Sequence, residues 1–174
     1  IDTHDLFGDR HLTAEEQGLE PRWFFTTVEE EHRGFERADV VIAIQEKEAE
    51  AMQDRFTGKV LTVGHPVEPG FLTGPWAPNP SFTFGYLGSG NPWNVRSVLA
   101  IAAALARDRV ARWALAGTIS RRRLSLQSHP FLLGVVERVE RFYDVVECVL
   151  NPMLGGTGLK IKTIEAIAFG KPVI

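Results

Sequence analysis

A glycine-rich stretch over residues 152–166 carries the strongest chemical signal in the sequence. It follows a predicted strand and opens a predicted helix. Glycine lets a backbone approach an anion closely, and the N–H groups and dipole at a helix start favour a phosphate there. Lys160 and Lys162 add positive charge. One interpretation is therefore a phosphate site. The other is a tight turn with solvated lysines, because the spacing matches neither the Walker pattern nor Gly-x-Gly-x-x-Gly.

Helix and strand signals alternate along the rest of the chain, which is typical of an α/β protein with a parallel sheet. Thr13 with Glu16, and Thr27 with Glu30, are capping-box pairs that predict two helix starts. Apolar runs predict strands at residues 39–44, 60–63, 82–87, 110–116, 132–136 and 149–151. Helical periodicity and strong helix formers predict further helices at residues 46–55, 94–107, 137–143 and 159–169.

A run of prolines and glycines without a period occupies residues 66–80 and is typical of a linker. It predicts two domains, over residues 1–65 and 81–174. Ligands of open α/β sheets bind beyond the carboxyl ends of the strands, so the glycine-rich stretch lies at the edge that suits a nucleotide. The chain starts without Met and stops where a strand begins, at residues 171–174, so we expect it to be a piece of a longer protein.

The composition excludes several classes of protein. With 174 residues, 44% of them apolar and 24% charged, the chain can bury a core, which excludes disorder, collagen and coiled coil. No apolar run approaches the roughly 18 residues that cross a bilayer, and the first residues do not form a signal peptide. The net charge of -3 gives no global attraction to nucleic acid. The single cysteine, Cys148, fits a reducing compartment, and we expect it to be buried.

The order of residues 156–174 is Gly-Thr-Gly-Leu-Lys-Ile-Lys-Thr-Ile-Glu-Ala-Ile-Ala-Phe-Gly-Lys-Pro-Val-Ile. This pattern resembles the donor-binding segment of GT-B glycosyltransferases of the group 1 (family 4) kind. Weaker similarity to the same family runs through nearly the whole chain, at residues 37–50, 64–67, 84–94, 116–117, 133–136 and 142–143. The resemblance implies that the chain spans the end of the N-terminal domain and most of the C-terminal donor domain.

The resemblance also implies a fold and an activity. The fold is α/β, with two Rossmann-like parallel-sheet domains, both incomplete in this chain. The activity is a retaining, metal-independent transfer of a sugar from a nucleotide-sugar donor to a glycan or lipid-linked acceptor, with no further cofactor. The location is the cytoplasm or the inner face of the membrane, with peripheral membrane contact through parts that lie outside this chain. An epimerase-like GT-B enzyme and a non-catalytic nucleotide-sugar-binding protein are the alternatives.

Roles for residues around the glycine-rich stretch follow from the same resemblance. Glu165 accepts hydrogen bonds from the nucleotide ribose. The N–H groups of Gly156, Thr157 and Gly158 face the diphosphate. Lys160 or Lys162 offsets charge on the leaving nucleotide, as a metal does in other transferases. In agreement with a metal-independent reaction, the sequence contains no Asp-x-Asp pair and no His/Cys cluster with ligand spacing.

Two further residues belong to the predicted site. Gly88 lies in the turn after the first strand of the donor domain. His4 lies in a segment that resembles the end of an N-terminal-domain strand, where it either lines the active site or makes a structural hydrogen bond.

The sequence departs from the family pattern at two places. Many members carry two glutamates eight positions apart, but Thr157 stands eight residues before Glu165. The turn at Gly88 contains no Lys or Arg for the diphosphate. The arginine run after residue 117 could substitute or be a solvated loop, and its members are Arg121, Arg122 and Arg123.

Overall fold

The protein folds into two compact units, here seen in a computed structural model. The structure describes residues 1–21, 23–70, 81–107, 111–152, 154 and 158–174. The first unit comprises Ile1–Pro66 and takes in the described residues 158–160, and the second comprises Val67–Leu154 and Ile161–Ile174. The predicted linker over residues 66–80 lies mostly outside the described residues, so the predicted domain bounds stay a prediction.

Helices and strands alternate within the described residues. The helices are α1 (Arg10–Glu16), α2 (Val28–Phe35), α3 (Glu46–Gln53), α4 (Pro92–Leu105), α5 (Glu140–Val145) and α6 (Ile161–Ala168). The strands are β1 (Val40–Ala43), β2 (Lys59–Thr62), β3 (Phe82–Leu87), β4 (Trp113–Ala116), β5 (Phe131–Gly134) and β6 (Val146–Val149). A short 3-10 turn spans Thr118–Arg121. No helix of the described residues has the length and apolar character that crossing a bilayer requires.

The first unit is built on parallel strands. β1 pairs with β2 in a register that sets Val41 opposite Val60. The start of the chain extends this sheet at the other edge of β1, where Asp2 bridges Ile42 and the Thr3 N–H donates to the Ile42 carbonyl at 3.0 Å. The core of this unit is formed by side chains of α2, β1, the end of α3 and the segment that follows α3: Phe35, Val41, Ala43, Met52 and Phe56.

Only one of the two predicted capping threonines begins a helix. Thr27 is the N-cap of α2, and its Oγ1 accepts a hydrogen bond from the Glu30 N–H at 3.2 Å. Thr13 lies inside α1, so the prediction of a helix start there was wrong. α1 begins after Asp9, whose φ is +55°. The Asp9 N–H is tied to the Thr26 carbonyl at 2.8 Å, and this tertiary contact sets where the helix begins.

Thr27→Ala is therefore expected to lower the free energy of unfolding by about 1 kcal/mol, because the Glu30 N–H loses its partner at the helix start. Thr13→Ala is the matched control. It exchanges the same side chain inside a helix, where alanine has the higher propensity, and should change stability by a few tenths of a kcal/mol at most. Chemical denaturation of both variants, with hydrogen exchange at the Glu30 amide, makes the comparison. Equal losses would show that Thr27 is not a cap.

The second unit contains a parallel sheet with the order β5-β4-β3-β6. Val173 bridges Val149 on the outer side of β6, so a further extended segment joins that edge. In chain order this is the arrangement 3-2-1-4-5, which reverses direction between β3 and β6. The α/β fold with parallel sheets predicted from the sequence is confirmed.

Both faces of this sheet are covered, as expected for a doubly wound unit. Alternate residues of β4 point to opposite faces: Trp113 and Leu115 join one core cluster, while Ala114 and Ala116 join the other. α4 covers the first face, with Val98, Ile101 and Ala102 buried, and α5 and α6 cover the second, with Phe142, Tyr143 and Ala166 buried. Every residue of β4 is buried, which explains its unbroken apolar sequence.

β6 begins earlier than the sequence predicted. The strand covers Val146–Val149 rather than residues 149–151, and Cys148 pairs with Phe84 across the ladder. Exposed Glu147 interrupts the apolar run and hid the start of the strand from a pattern-based prediction. Cys148 is buried, as expected from the sequence, and burial raises the pKa of its thiol.

Candidate functional site

The carboxyl ends of β3 and β6 form the point where the strand order of the second unit reverses. β3 lies between β4 and β6, and the helices that follow β3 and β6 in the chain, α4 and α6, cover opposite faces of the sheet. In open α/β sheets such a switch point leaves a crevice that binds ligands. The turns after these strands and the start of α6 are therefore where a site has to be sought in this unit.

Glycines bring the turns after β3 and β4 into close contact. Gly117 has a φ of +88°, and a Cβ atom there would collide with the carbonyl oxygen of Gly88. The Gly88 N–H donates to the Ala116 carbonyl at 3.0 Å, and the Gly88 carbonyl accepts from the Ile119 N–H at 3.1 Å. Both backbone groups of Gly88 are thus used within the fold. The role of Gly88 in donor binding stays a prediction. That role would be to let the donor approach the backbone closely, because both backbone groups of Gly88 already have hydrogen-bond partners.

Lys162 is held by two side chains of the switch point. It lies in the first turn of α6, and its Nζ donates to Asn94 Oδ1 at 2.7 Å and to Tyr86 Oη at 3.2 Å. Nζ also lies 4.7 Å from the centre of the Tyr86 ring, within the range of a cation–π contact. The carboxyl end of β3, the first turn of α4 and the first turn of α6 thereby meet at one ammonium group.

Asn94 is the centre of this network. It is only 6% exposed, and its N–H donates to Asn91 Oδ1 at the N-cap of α4. Its Oδ1 accepts from Tyr86 Oη at 2.7 Å as well as from Lys162. Its Nδ2 donates to the carbonyl and hydroxyl oxygens of Ser89, at 2.9 and 3.0 Å. A buried amide with all these partners is rigidly placed.

Glu165 lies one turn further along α6 and is oriented by a tyrosine. The Tyr143 hydroxyl donates to Glu165 Oε2 at 3.1 Å, and the Tyr143 ring stacks on Phe169 with the ring centres 4.6 Å apart. Burial, and then the negative charge of Glu165, raises the pKa of Tyr143. The hydroxyl therefore stays protonated and fixes one carboxylate oxygen. Donation from a ribose to this carboxylate stays a prediction.

The two tyrosines of the chain are expected to resist ionisation. Burial raises the pKa of Tyr86 to about 12, and the pKa of Tyr143 is also raised. Because both folded pKa values lie above the ordinary value of about 10, the stability that the two protonated phenols contribute is complete below about pH 10. It falls as the pH rises through the folded pKa values, about 12 for Tyr86 and higher for Tyr143. Phenolate absorbance should appear near pH 10 in denaturant but only above pH 11 in the folded protein. Appearance near pH 10 in both would contradict the burial of the rings.

The other predicted site residues with described positions belong to the first unit. His4 is exposed and follows directly on the segment that pairs with β1. A Cβ on Gly158 would lie 3.5 Å from Asp5 Cγ. Burial lowers the pKa of Lys160, and the charge of Asp5 acts in the opposite direction. Asp5, which also pairs with Arg10 at 3.2 Å, is a residue that the sequence analysis did not single out.

Gly156 and Thr157 lie outside the described residues, so their predicted contacts to a diphosphate stay predictions. The three arginines that were candidates to bind the diphosphate differ in how close their side chains lie to the turn after β3. The Cγ and Cδ atoms of Arg122 lie 3.4 Å from the position that a Cβ on Gly90 would take, beside the turn after β3. Arg122 is thus the member of the run whose side chain lies against this turn, and it is exposed.

Sequence reasoning missed the part of the site made by Tyr86 and Asn94. The local signals were an aromatic residue next to last in a predicted strand, and an asparagine in the segment 84–94 that resembles the family. Neither signal points to Lys162, which is 68 residues beyond Asn94 in the chain. Within the described residues there is no group of three or more His, Cys, Asp and Glu side chains that could hold a metal ion.

The C-terminal part of the chain matches a known family. The family described as glycosyl transferases group 1 matches residues 81–174, which is more than half of the chain and holds the switch point, Lys162 and Glu165. No curated protein matches the sequence.

Several solved structures resemble the chain. TarM gives a TM-score of 0.70 at 14% identity, with 99% of this chain and 35% of that chain covered. A mutant of S. aureus TarM in complex with fondaparinux, α-GlcNAc-glycerol and UDP gives 0.68 at 17%, with 95% and 34% covered. Sucrose-phosphate synthase from Thermosynechococcus elongatus gives 0.69 at 19%, with 99% and 48% covered. At these identities the likeness establishes the fold, which is GT-B. The chain spans about a third to a half of each matched chain.

Proposed function

We propose that this protein, which belongs to the group 1 glycosyl transferases, moves a sugar from a nucleotide diphosphate donor to an acceptor hydroxyl, with retention of configuration and without a metal ion. The observation that carries the proposal is the fixed cation at the switch point, where Asn94 Oδ1 holds Lys162 Nζ at 2.7 Å. A cation at the carboxyl ends of parallel strands is well placed for the phosphates of a nucleotide.

The proposed reaction needs no side chain of the protein to remove the proton of the acceptor hydroxyl. The acceptor oxygen bonds to C1 of the donor sugar on the face from which the phosphate departs, while the bond between C1 and the phosphate oxygen breaks. The acceptor proton passes to a phosphate oxygen, and the nucleoside diphosphate leaves. Negative charge grows on that leaving group, and Lys162 stabilises it as a positioned cation. Glu165 accepts from the ribose, and His4 lines the acceptor side.

The donor and acceptor are proposed by chemical class. UDP in the complex of the S. aureus TarM mutant supports a nucleoside diphosphate, and the α-GlcNAc-glycerol and fondaparinux of that complex support a glycan acceptor. We also propose that the acceptor is a glycan or lipid-linked glycan hydroxyl. We place the reaction in the cytoplasm, because a single buried cysteine suits a reducing compartment. A lipid-linked acceptor would bring the protein to the inner face of the membrane.

Glu165→Ala is expected to weaken UDP binding by about 10- to 100-fold, since a carboxylate that accepts hydrogen bonds from a ribose is lost. Calorimetric titration with UDP, GDP and ADP in the presence of a chelator measures the effect and identifies the base. Tyr143→Phe is the control: it removes the hydroxyl that orients Glu165 but keeps the carboxylate, and affinity should stay within about threefold.

Two results would count against the proposal. If none of the three nucleotides binds to the unaltered chain, the donor site is not complete in it and the proposed function fails for this chain. If one binds with an affinity that Glu165→Ala leaves unchanged, the donor ribose does not lie at Glu165. Binding of a nucleotide sugar with no turnover in the presence of acceptor glycans would support a non-catalytic sugar-nucleotide-binding protein instead.

A further inference from the structure

We infer that Asn94 is a positioning residue, which holds the ammonium group of Lys162 at the carboxyl end of β3 for the donor diphosphate. The inference rests on the proposed function and adds a residue to it. Asn94 is not expected to touch the donor. It acts through Lys162, to which it is bonded at 2.7 Å across 68 residues of sequence.

The orientation of the Asn94 amide follows from its partners. Its Nδ2 faces the carbonyl oxygen of Ser89 at 2.9 Å, and a carbonyl oxygen can only accept. The amide oxygen must therefore face the other way, towards Lys162 and Tyr86, and both of these donate to it. The turn after β3 thus sets the direction of the amide, and the amide sets the position of the ammonium group.

The absence of charge on Asn94 and Tyr86 matters as much as their distances to the Lys162 ammonium group. Asn94 is nearly buried and Tyr86 is fully buried, so hydrogen bonds to the ammonium group are strong there. Both partners are neutral at physiological pH, because an amide does not ionise and burial keeps the Tyr86 phenol protonated. They fix the ammonium group and do not cancel its charge, as a carboxylate in the same place would.

Asn94→Asp tests this arrangement, because it replaces the neutral amide by a carboxylate of nearly the same shape. The carboxylate pairs with Lys162 and repels a diphosphate. Calorimetric titration is expected to show UDP binding about 10- to 100-fold weaker, with uridine binding changed by less than about twofold. A purely structural role for Asn94 would weaken UDP and uridine equally. Equal weakening, or an unchanged UDP affinity, would overturn the inference.

Two further variants serve as comparisons for the effect of Asn94→Asp on UDP binding. Asn91→Asp introduces the same charge three residues earlier, at an exposed N-cap where aspartate caps as well as asparagine. Its UDP affinity should fall by less than about threefold, because an exposed charge is screened. Tyr86→Phe removes one acceptor of Lys162 and should weaken UDP binding by about two- to fivefold. A larger effect from Asn91→Asp than from Asn94→Asp would also overturn the inference.

A measurement without nucleotide separates this inference from the proposed function. Lys162 should be acylated slowly by an amine-reactive ester in the unaltered protein and several-fold faster in Asn94→Leu, with exposed Lys47 as the internal reference. Peptide mass spectrometry reads both rates. Suppose that Lys162 is acylated faster in Asn94→Leu but the unaltered protein binds none of UDP, GDP and ADP. Asn94 then positions Lys162, but the proposed function is wrong. An unchanged rate would overturn the positioning role.

Discussion

Lys162→Ala is expected to slow sugar transfer by about 100- to 1000-fold, the size of effect seen when one positioned electrostatic group is removed from a transition state. Negative charge grows on the leaving diphosphate as the bond to the sugar breaks. In the proposed mechanism Lys162, held by Asn94 and Tyr86, is the cation that meets this charge. Release of nucleoside diphosphate from a nucleotide sugar in the presence of acceptor measures the rate.

The control for this prediction is Lys47→Ala, which removes an exposed lysine of α3 in the first unit and should leave the rate unchanged. Lys162→Arg keeps the charge but not the shape that fits between Asn94 and Tyr86, and should retain part of the activity. A transfer rate that Lys162→Ala reduces by less than about threefold would assign the leaving-group charge to another cation, such as Lys160 or Arg122.

Gly117→Ala is expected to lower the free energy of unfolding by about 2–6 kcal/mol. Gly117 combines a φ of +88° with a ψ of -173°, a backbone region nearly confined to glycine, which costs an L-residue about 1–3 kcal/mol. The added Cβ would in addition collide with the carbonyl oxygen of Gly88, which is backbone and cannot rotate away. Overpacking of this kind costs a further 1–3 kcal/mol or so. Chemical denaturation followed by circular dichroism measures the loss.

Gly134→Ala separates the cost of the backbone conformation from the cost of the collision with Gly88. Gly134 also has a positive φ, +75°, but a Cβ there would meet nothing within 4 Å. The expected loss is therefore the conformational part alone, about 1–2 kcal/mol. If Gly117→Ala and Gly134→Ala destabilise equally, the close approach of the turns after β3 and β4 contributes nothing to stability. A Gly117→Ala variant that keeps its stability but binds UDP more weakly would assign the glycine to the site instead.

Much of the fold could be predicted from local sequence. β3 was predicted at residues 82–87 and has those bounds. The cap at Thr27 and the parallel arrangement of the strands were also predicted. These features depend on residues within a few positions of each other or on unbroken apolar runs, so the sequence records them directly. The start of α1 was predicted wrongly because a backbone contact between Asp9 and Thr26 decides it.

The candidate site was predictable in part. The glycine-rich stretch, its lysines and Glu165 were proposed from residue types, from the rule that nucleotides bind beyond the carboxyl ends of parallel strands, and from a family resemblance. Their contacts to a donor stay predictions. The sequence could not choose between Lys160 and Lys162. The structure buries Lys160 partly, near Asp5 in the first unit, and holds Lys162 on Asn94 and Tyr86 in the second.

The sequence by itself determined the alternation of elements and the parallel sheets, and it is the source of the proposal that a phosphate binds at the start of α6. Tertiary structure alone decided which side chains meet there. Lys162 lies 76 residues from Tyr86 and 68 from Asn94. A local pattern reports neighbours one strand or one helical turn away, but contacts over such separations exist only after the strands have been ordered in the sheet. The strand order β5-β4-β3-β6 brings these three residues together.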